Sequence, residues 1–438
     1  MLILRAAIFH VPRDPFREAN ALESFADGAL LIDRGRIAAC GDYTAIRAAH
    51  PDAEERDQRG GILVPGFIDT HIHYPQVRAI GGIGFTLLDW LERHAMPEEA
   101  KFADEAYAAQ VATEFLHALA SHGTTAALVF GAHFAGATGI LMEQARASGL
   151  RIATGLVLSD RELRPDLLQT PERAYAESQA LIGRFHGAGR IRYAVTPRFA
   201  VSTSEAMLDV CRALLREHPG IYLQTHLNET APEIEAVSRL FPKRSDYFGV
   251  YESFGLAGRR SVFAHGVRST DSELQRLAAH QSSVAFCPSS NAALGSGFFP
   301  LARHLAAGVR FALGTDVGAG TGFGMLRESL QAYLTQRLAP GGVTLNAAQL
   351  LYLATRAGAE ALDLAADCGD FAPGKAADFV YLQPPAESPL AAVMRNAPDA
   401  ERLLGAIITL ADADCICETW VEGAPIFQVG QASAVSAL

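Results

Sequence analysis

Apolar positions recur in a regular pattern between residues 61 and 317. Eight apolar runs can be counted, and stretches with helical spacing, such as 104–123 and 204–220, lie between them. Near-continuous apolar strands that alternate with helices are typical of a parallel sheet covered on both faces. The pattern therefore predicts the α/β class and a (β/α)8 TIM-type barrel over residues 65–365. The runs are GILVPGFIDTHIH, TTAALVFGAH, RIATGLVLSD, RIRYAVTPRF, IYLQTHLNE, SVFAHGV, SSVAFCPSSN and RFALGTDV.

The two ends of the chain follow a different pattern. Residues 1–64, with GALLIDRGRIAACGDY, and residues 366–438, with GKAADFVYLQ and CETWVEGAPIF, read as short alternating strands broken by Gly and Asp. We expect both ends together to form one small β-sandwich domain beside the barrel.

The amino-acid composition bears on whether the protein binds nucleic acid or a membrane and on where in the cell it is expected. The 438 residues are 49% hydrophobic and 19% charged, with a net charge of -11 and no block of Lys or Arg. Such a chain offers no electrostatic footprint for nucleic acid, so we expect no nucleic-acid partner. No segment approaches a membrane span, and Arg5 interrupts the apolar N-terminus, so we expect no membrane association and a cytoplasmic protein. The 6 cysteines match no disulfide or zinc-knuckle spacing and are interpreted as reduced thiols.

Polar residues follow the apolar runs at their C-terminal ends, where a barrel places its chemistry. A single histidine is more often a hydrogen-bonded structural residue than a ligand, and His133 is interpreted in that way. Histidines and a carboxylate at the ends of different strands, however, converge on one rim and predict a metal site. Zinc suits these donors, and iron(II) fits them as well. The candidate ligands are His71, His73, His226, His265 and Asp316.

The motifs that carry these residues resemble a known family. PGFIDTHIH followed by THLNE, AHG and LGTD resembles the amidohydrolase superfamily, and PGKAADFV resembles its accompanying β-sandwich. Within that superfamily, HIHYPQ, DWLERHAMPEE, TPRFAVS, HLNET and FCPSSNAALGSGFF resemble the guanine deaminases. The first set is generic to many hydrolases, whereas HYPQ together with TPRF and CPSSN is more specific.

This resemblance implies a ligand set, catalytic residues and a substrate site. It implies one zinc ion per subunit, held by His71, His73, His226 and Asp316. His265 is implied to contact the attacking water, Glu229 to carry protons and Asp316 to act beside them as a catalytic group. A homodimer is implied too. The residues implied to line the guanine site are His73, Tyr74, Pro75, Gln76, Arg198, Phe199, His226, Glu229 and Asp316.

The implied reaction is the hydrolytic deamination of guanine to xanthine and ammonia. Zinc lowers the pKa of a bound water to about 7, and a positioned carboxylate can then move protons to the ring and the leaving amine. Glu229 is our candidate for that task, although an acid at this place could instead cap the helix beginning near NETAPEIEA. Arg198 offers only donors and Gln76 a donor and an acceptor, so both suit recognition of a purine.

Two other functions fit the sequence. The nearest is a deaminase of another aminated heterocycle, such as a pterin, a triazine or a different purine, with the same metal and glutamate. The second is a non-catalytic metal-binding barrel, against which the presence of both Glu229 and Asp316 argues. Trp90 and the loop after the seventh run receive no role. The run RIRYAVTPRF contains no lysine, which agrees with one metal rather than the bridged pair of binuclear relatives.

Overall fold

The structure is a computed structural model that describes residues 1–430, so residues 431–438 of the predicted β domain lie outside the described residues. The strands are β1 Leu2–His10, β2 Glu23–Asp33, β3 Arg36–Asp42, β4 Glu54–Pro65, β5 Phe67–His73, β6 Thr124–Phe130, β7 Arg151–Gly155, β8 Val157–Leu158, β9 Arg192–Pro197, β10 Tyr222–Leu227, β11 Ser261–His265, β12 Ser283–Phe286, β13 Arg310–Leu313, β14 Phe379–Leu382, β15 Ile416–Val421 and β16 Ala424–Gln428.

Helices occupy most of the segments between the strands. They are α1 Tyr43–Ala49, α2 Leu87–Trp90, α3 Met96–Ala100, α4 Glu105–Ser121, α5 Ala135–Ser148, α6 Pro171–Phe185, α7 Glu205–Glu217, α8 Ala231–Leu240, α9 Tyr247–Ser253, α10 Asp271–Ala279, α11 Pro288–Ala293, α12 Leu301–Ala307, α13 Met325–Leu338, α14 Ala347–Ala354, α15 Arg356–Ala361, α16 Pro389–Met394 and α17 Ala400–Leu410. Across residues 1–430, no helix combines the length and the apolar character needed to cross a bilayer.

Strands β5 to β13 form one parallel sheet in chain order, and this confirms the predicted (β/α)8 barrel. Each of the eight apolar runs supplies one strand position of the barrel. The third run supplies its position in two pieces, β7 and β8. Strands β5 and β13 meet where the Asp316 N–H donates to the His71 carbonyl at 2.8 Å. The buried carboxylate of Asp69 accepts from the backbone N–H of Thr315 at 3.1 Å and from its hydroxyl. The two strand ends that carry candidate ligands are thus fixed to each other.

Small apolar residues fill the barrel interior. Ala126, Ala153, Ala194 and Ala264 belong to one buried cluster, which α15 closes from below through residues such as Ala359. Ile68, Leu128 and Tyr222 belong to this interior cluster too, but most of the larger apolar side chains lie between the strands and the helices, in a second and more extensive cluster. The barrel is therefore a packed core, and open space remains at its C-terminal rim.

The terminal strands form a seven-stranded sheet in the order β16-β15-β14-β4-β1-β2-β3. The sheet curves back on itself, because the Ala377 N–H, just before β14, donates to the Gly35 carbonyl, just before the edge strand β3, at 2.9 Å. Alternate residues of several strands, including Leu4, Ile37 and Trp420, pack into one core inside this curved sheet. Both termini contribute, as the predicted small β-sandwich requires.

Residues 389–410 differ from the predicted short strands. This segment forms α16 and α17, and α17 packs against α13 and α14 of the barrel. Asp399 caps α17 by accepting from the Arg402 N–H at 2.7 Å, and Leu404, Ile407 and Ile408 are buried on one face. An apolar face at helical spacing, preceded by an N-cap aspartate, explains why the helix forms there.

Candidate metal centre and active site

Four predicted ligands converge at the C-terminal rim of the barrel. Nε2 of His71 lies 3.1 Å from Nε2 of His73 and 3.1 Å from Oδ1 of Asp316. Nε2 of His73 lies 3.2 Å from the same carboxylate oxygen and 3.3 Å from Nε2 of His226. The fifth candidate, His265, is more distant, with its Nε2 3.9 Å from Oδ2 of Asp316. One ligand atom from each of His71, His226, His265 and Asp316 lies within 4.8 Å of the others.

The closest of these spacings match the edges of a coordination tetrahedron. Zinc binds nitrogen and oxygen ligands at about 2.0–2.1 Å, and the ligands of a tetrahedral site are then about 3.3–3.4 Å apart. Burial lowers the pKa of His73 to about 4 and also lowers the pKa of His71 and of His226 below the ordinary value. Neutral imidazoles facing each other at this distance suit a shared cation, because each presents a lone pair to it. The residues present therefore fit one divalent transition metal.

A bulge in β5 aims both of its histidines at this point. Ile68 belongs to the interior cluster, whereas Ile72 packs with the outer cluster, although strict alternation would put both on one face. The pairing with β6 shifts register between Asp69 and Ile72, which accounts for the change of face. His71 and His73 consequently both point inward.

Neighbouring groups hold the ligands in orientation. Nδ1 of His226 lies 2.6 Å from the carbonyl oxygen of Arg198, so this nitrogen carries the proton and Nε2 is left free for a metal. The hydroxyl of Ser290 donates to Oδ2 of Asp316 at 2.6 Å, which leaves Oδ1 towards the histidines. Contacts of this kind are usual around metal ligands.

The backbone is strained at two residues of the site. Asp316 has φ of 50° and His265 has φ of 75°, a region that residues other than glycine rarely adopt. Phe263 packs against Phe248 outside the barrel, so alternation along β11 would aim His265 outward as well. The left-handed conformation at the strand end instead turns its imidazole towards the rim. Strain of this type is common where a fold must place a functional group.

Glu229 lies beside His265 and is fully buried. Its Oε2 is 3.4 Å from Nε2 of His265, and its Oε1 accepts from the hydroxyl of Ser296 at 2.9 Å. Burial, together with the nearby charge of Asp316, raises the pKa of Glu229 to about 8. Nδ1 of His265 lies 3.0 Å from Oδ1 of Asn291, which fixes the ring. A carboxyl group with this environment can exchange protons near neutral pH.

The N-terminus of α8 is capped by residues other than Glu229. The Thr230 side chain accepts from the Glu233 N–H, and the Glu233 carboxylate accepts from the backbone N–H groups of Thr230 and Glu229. These contacts form a complete capping box. The alternative interpretation of Glu229 as a helix cap is therefore wrong.

A cavity opens above the candidate metal centre. One side is apolar and includes Trp90, which had no role in the sequence interpretation, together with Leu87 and Leu91. Carboxylate, imidazole, amide and guanidinium groups form the rest of the wall. The lining residues are His73, Gln76, Leu87, Trp90, Leu91, Arg198, Phe199, His226, Glu229, Glu233, His265, Leu294, Asp316 and Ala319.

Two residues of the implied substrate site lie elsewhere. The Tyr74 hydroxyl donates to the carbonyl of Ala108, and its ring packs against Phe102 with centroids 4.9 Å apart. Pro75 follows in the 3₁₀ turn Tyr74–Ala79 and is buried. Neither residue lines the cavity, and their contacts indicate packing that supports the neighbouring Gln76.

Sequence reasoning missed Glu99, which is buried behind the cavity wall. Its carboxylate accepts from Nε2 of Gln76 at 2.7 Å and lies 3.2 Å from Nη2 of Arg198. His133, interpreted as structural, contacts the other carboxylate oxygen at 3.1 Å. Glu99 lies within the motif DWLERHAMPEE, but two adjacent acids near a helix are usually solvated, so the pattern alone gave no signal for burial.

Comparison with known proteins places this geometry in a family. The amidohydrolase family profile matches residues 62–425, and an imidazolonepropionase-like composite domain profile matches residues 28–53. A protein named "probable guanine deaminase" from Deinococcus radiodurans is 56% identical over 433 residues, 98% of this chain and 99% of that protein. Guanine deaminase of Escherichia coli K12 is 39% identical over 416 residues, which cover 95% of this chain and 94% of that enzyme.

Solved structures agree with the sequence relatives. The structure of E. coli guanine deaminase superposes with a TM-score of 0.95 at 39% identity, covering 98% of this chain and 100% of that one. The structure of guanine deaminase from Bradyrhizobium japonicum gives a TM-score of 0.92 at 35% identity, covering 98% of this chain and 99% of that one. The chain therefore belongs to the amidohydrolase family, in the group that contains these guanine deaminases.

Proposed function

We propose that this chain catalyses the hydrolytic deamination of guanine to xanthine and ammonia, with one zinc ion per subunit. The observation that carries the proposal is a single cavity that has the convergent metal donors on one side and Arg198 and Gln76 on another, with Glu229 beside them. The relatives named above, which match this chain over nearly its whole length, support guanine as the substrate.

His71, His73, His226 and Asp316 would hold the metal. A divalent cation at this point would supply Lewis acidity, which makes water a usable nucleophile near neutral pH. Iron(II) suits the same donors, and our assignment of zinc rests on the tetrahedral spacing of three imidazoles and one carboxylate.

Proton movement is assigned to the residues around Glu229. Asp316 faces the reacting water and accepts its proton first, while Nε2 of His265 orients the water oxygen. Glu229 starts protonated and delivers its proton to the ring nitrogen next to the attacked carbon. The proton that Asp316 took from water then passes through Glu229 to the departing amine, which leaves as neutral ammonia, and the hydroxyl proton left on the ring carbon restores Glu229 to its starting state. Its raised pKa suits this alternation, because both protonation states are accessible near pH 7.

Recognition of the purine base is assigned to the cavity-lining residues that neither bind the metal nor move protons. Arg198 and Gln76 donate to the purine carbonyl, whereas Phe199, Trp90 and Leu87 provide the apolar surface that a flat ring requires. All of these side chains are buried, so a bound base exchanges water for protein contacts on every side. The homodimer implied by the resemblance stays a prediction.

A substrate comparison tests the proposal. We expect kcat/KM for ammonia release by zinc-loaded protein to be at least about tenfold higher for guanine than for a pterin, a triazine or adenine. Adenine and an aminated triazine lack the carbonyl that the donor groups match, and a pterin has a six-membered second ring where guanine has a five-membered one. A higher value for any of the others would replace guanine as the substrate and leave the metal site in place. Tight zinc binding with no ammonia released from any compound would favour the non-catalytic barrel.

A further inference from the structure

Glu99 links the two side chains that face the purine carbonyl in our proposal. One oxygen, Oε1, accepts from Nε2 of Gln76 at 2.7 Å and lies 3.2 Å from Nη2 of Arg198. The other oxygen contacts Nε2 of His133 at 3.1 Å. Glu99 is only 3% exposed and does not line the cavity, so it acts on a ligand through Gln76 and Arg198.

These contacts fix which end of the Gln76 amide is a donor. A glutamine amide can turn over and present either its oxygen or its NH₂ group, but an ionised carboxylate only accepts. Glu99 therefore requires Nε2 at its side, and Oε1 of Gln76 accepts from the backbone N–H of Gly318 at 3.3 Å. The second N–H of Nε2 is left for the cavity.

Arg198 adds only donors to the same wall. Among the described residues, its buried Nε has no hydrogen-bond partner, so the guanidinium retains donor capacity beyond its contact with Glu99. A buried guanidinium also needs a counter-ion, and Glu99 lies closest among the contacts the structure shows. Burial by itself raises the pKa of Glu99, but Arg198, His133 and Gln76 together lower it to about 2. The carboxylate thus stays ionised, and acceptor-only, at any working pH.

We propose that Glu99 is a specificity-determining positioning residue, which holds Gln76 and Arg198 as a pair of donors that selects a ring carbonyl over an amino group at the same purine position. The inference rests on the proposed function, since it assumes a purine in this cavity. A carbonyl oxygen can accept hydrogen bonds from both Gln76 and Arg198. An amino group is itself a donor, so the buried N–H groups of Gln76 and Arg198 would have no acceptor.

The test compares hypoxanthine, which has a carbonyl at that position, with adenine, which has an amine there. The neighbouring ring nitrogen also differs, because it carries a proton only in hypoxanthine, so the readout is the change in preference between variants. We measure the dissociation constants of both ligands by calorimetry on zinc-loaded protein and use the ratio, adenine over hypoxanthine. Wild type should favour hypoxanthine. In Glu99→Gln the amide at 99 can itself donate, so only the 3.3 Å contact with the Gly318 N–H still favours the present orientation of the Gln76 amide. Gln76 can then present its oxygen to the ligand, and the ratio should fall by about tenfold or more. General loosening of the fold would weaken both ligands alike and leave the ratio unchanged.

Two further variants complete the design. Glu98→Gln is the matched control, because the neighbouring Glu98 pairs with Lys101 and Tyr107 instead of the cavity wall, and its ratio should equal that of wild type. Glu99→Asp keeps the charge beside Arg198 but withdraws the carboxylate by one methylene, so it should fold even if Glu99→Gln does not, and its ratio should also fall. An unchanged ratio in folded Glu99→Asp or Glu99→Gln would overturn the inference.

The outcome is separable from that of the proposed function. If wild type prefers hypoxanthine and the preference depends on Glu99, but guanine is not deaminated, the inference holds and the assigned reaction is wrong. If guanine is deaminated and wild type binds adenine as tightly as hypoxanthine, the reaction holds and the role of Glu99 is wrong.

Discussion

Replacement of Glu229 by glutamine is expected to lower guanine turnover by about 10²- to 10⁴-fold, the usual contribution of a positioned general acid–base group. Glutamine keeps the shape of the side chain and can still accept from the hydroxyl of Ser296. It cannot deliver a proton to the ring nitrogen or to the departing amine. Because Glu229 is outside the proposed ligand set, the zinc content should equal that of wild type, and the melting temperature should change little.

Elemental analysis, thermal unfolding and guanine turnover on one preparation distinguish the possible roles of Glu229. Loss of zinc together with activity would make Glu229 a ligand. Near-normal turnover would remove it from the mechanism and leave Asp316 as the candidate proton carrier. Glu235→Gln is the matched control, since Glu235 is exposed on the following helix, and it should behave as wild type.

Removal of the metal by a chelator is expected to abolish turnover, and added zinc is expected to restore it. The assigned reaction needs a strong nucleophile near neutral pH, which water without a metal does not supply. Magnesium should fail to restore activity, because it prefers oxygen ligands in octahedral geometry, whereas this centre offers three imidazoles.

The fold should survive that treatment. The core of the barrel is apolar and extends well beyond the metal centre, so circular dichroism should show near-native secondary structure without metal. If protein that elemental analysis shows to be free of metal still turns over guanine at the full rate, the reaction does not depend on a metal and this prediction is wrong.

The sequence was sufficient for the barrel and for the convergence of the proposed metal donors at its rim. Parallel strands share one rim, so residues that follow different apolar runs, such as His71, His226 and Asp316, had to meet there. The close approach of their ligand atoms follows from that topology. The sequence did not reveal the β5 bulge, because a register shift depends on pairing with a neighbouring strand.

The supporting residues were beyond the reach of sequence patterns. Glu99 is buried because Arg198, from a distant strand, lies against it, and no local signal marks that pairing. The segment after β12 has an ordinary turn composition and was interpreted as a loop, but residues 288–293 form α11. Ser290 and Asn291 of this helix contact Asp316 and His265, and Ser296 in the following loop contacts Glu229. Such contacts join residues far apart in the chain.

The terminal helices are a different case. Asp399 and the apolar face of residues 400–410 are a helix signal present in the sequence itself, and α17 packs on α13 and α14. Short Gly- and Asp-containing segments on either side favoured strands, and the prediction extended that interpretation across the whole terminal region.

The most direct test of the central claim is a mass balance on guanine with zinc-loaded wild-type protein. Hydrolytic deamination predicts that each guanine consumed yields one xanthine and one ammonia, measured separately by chromatography and by an ammonia assay. A zinc-saturated protein that forms no xanthine from guanine, or forms it without an equal amount of ammonia, would contradict the account.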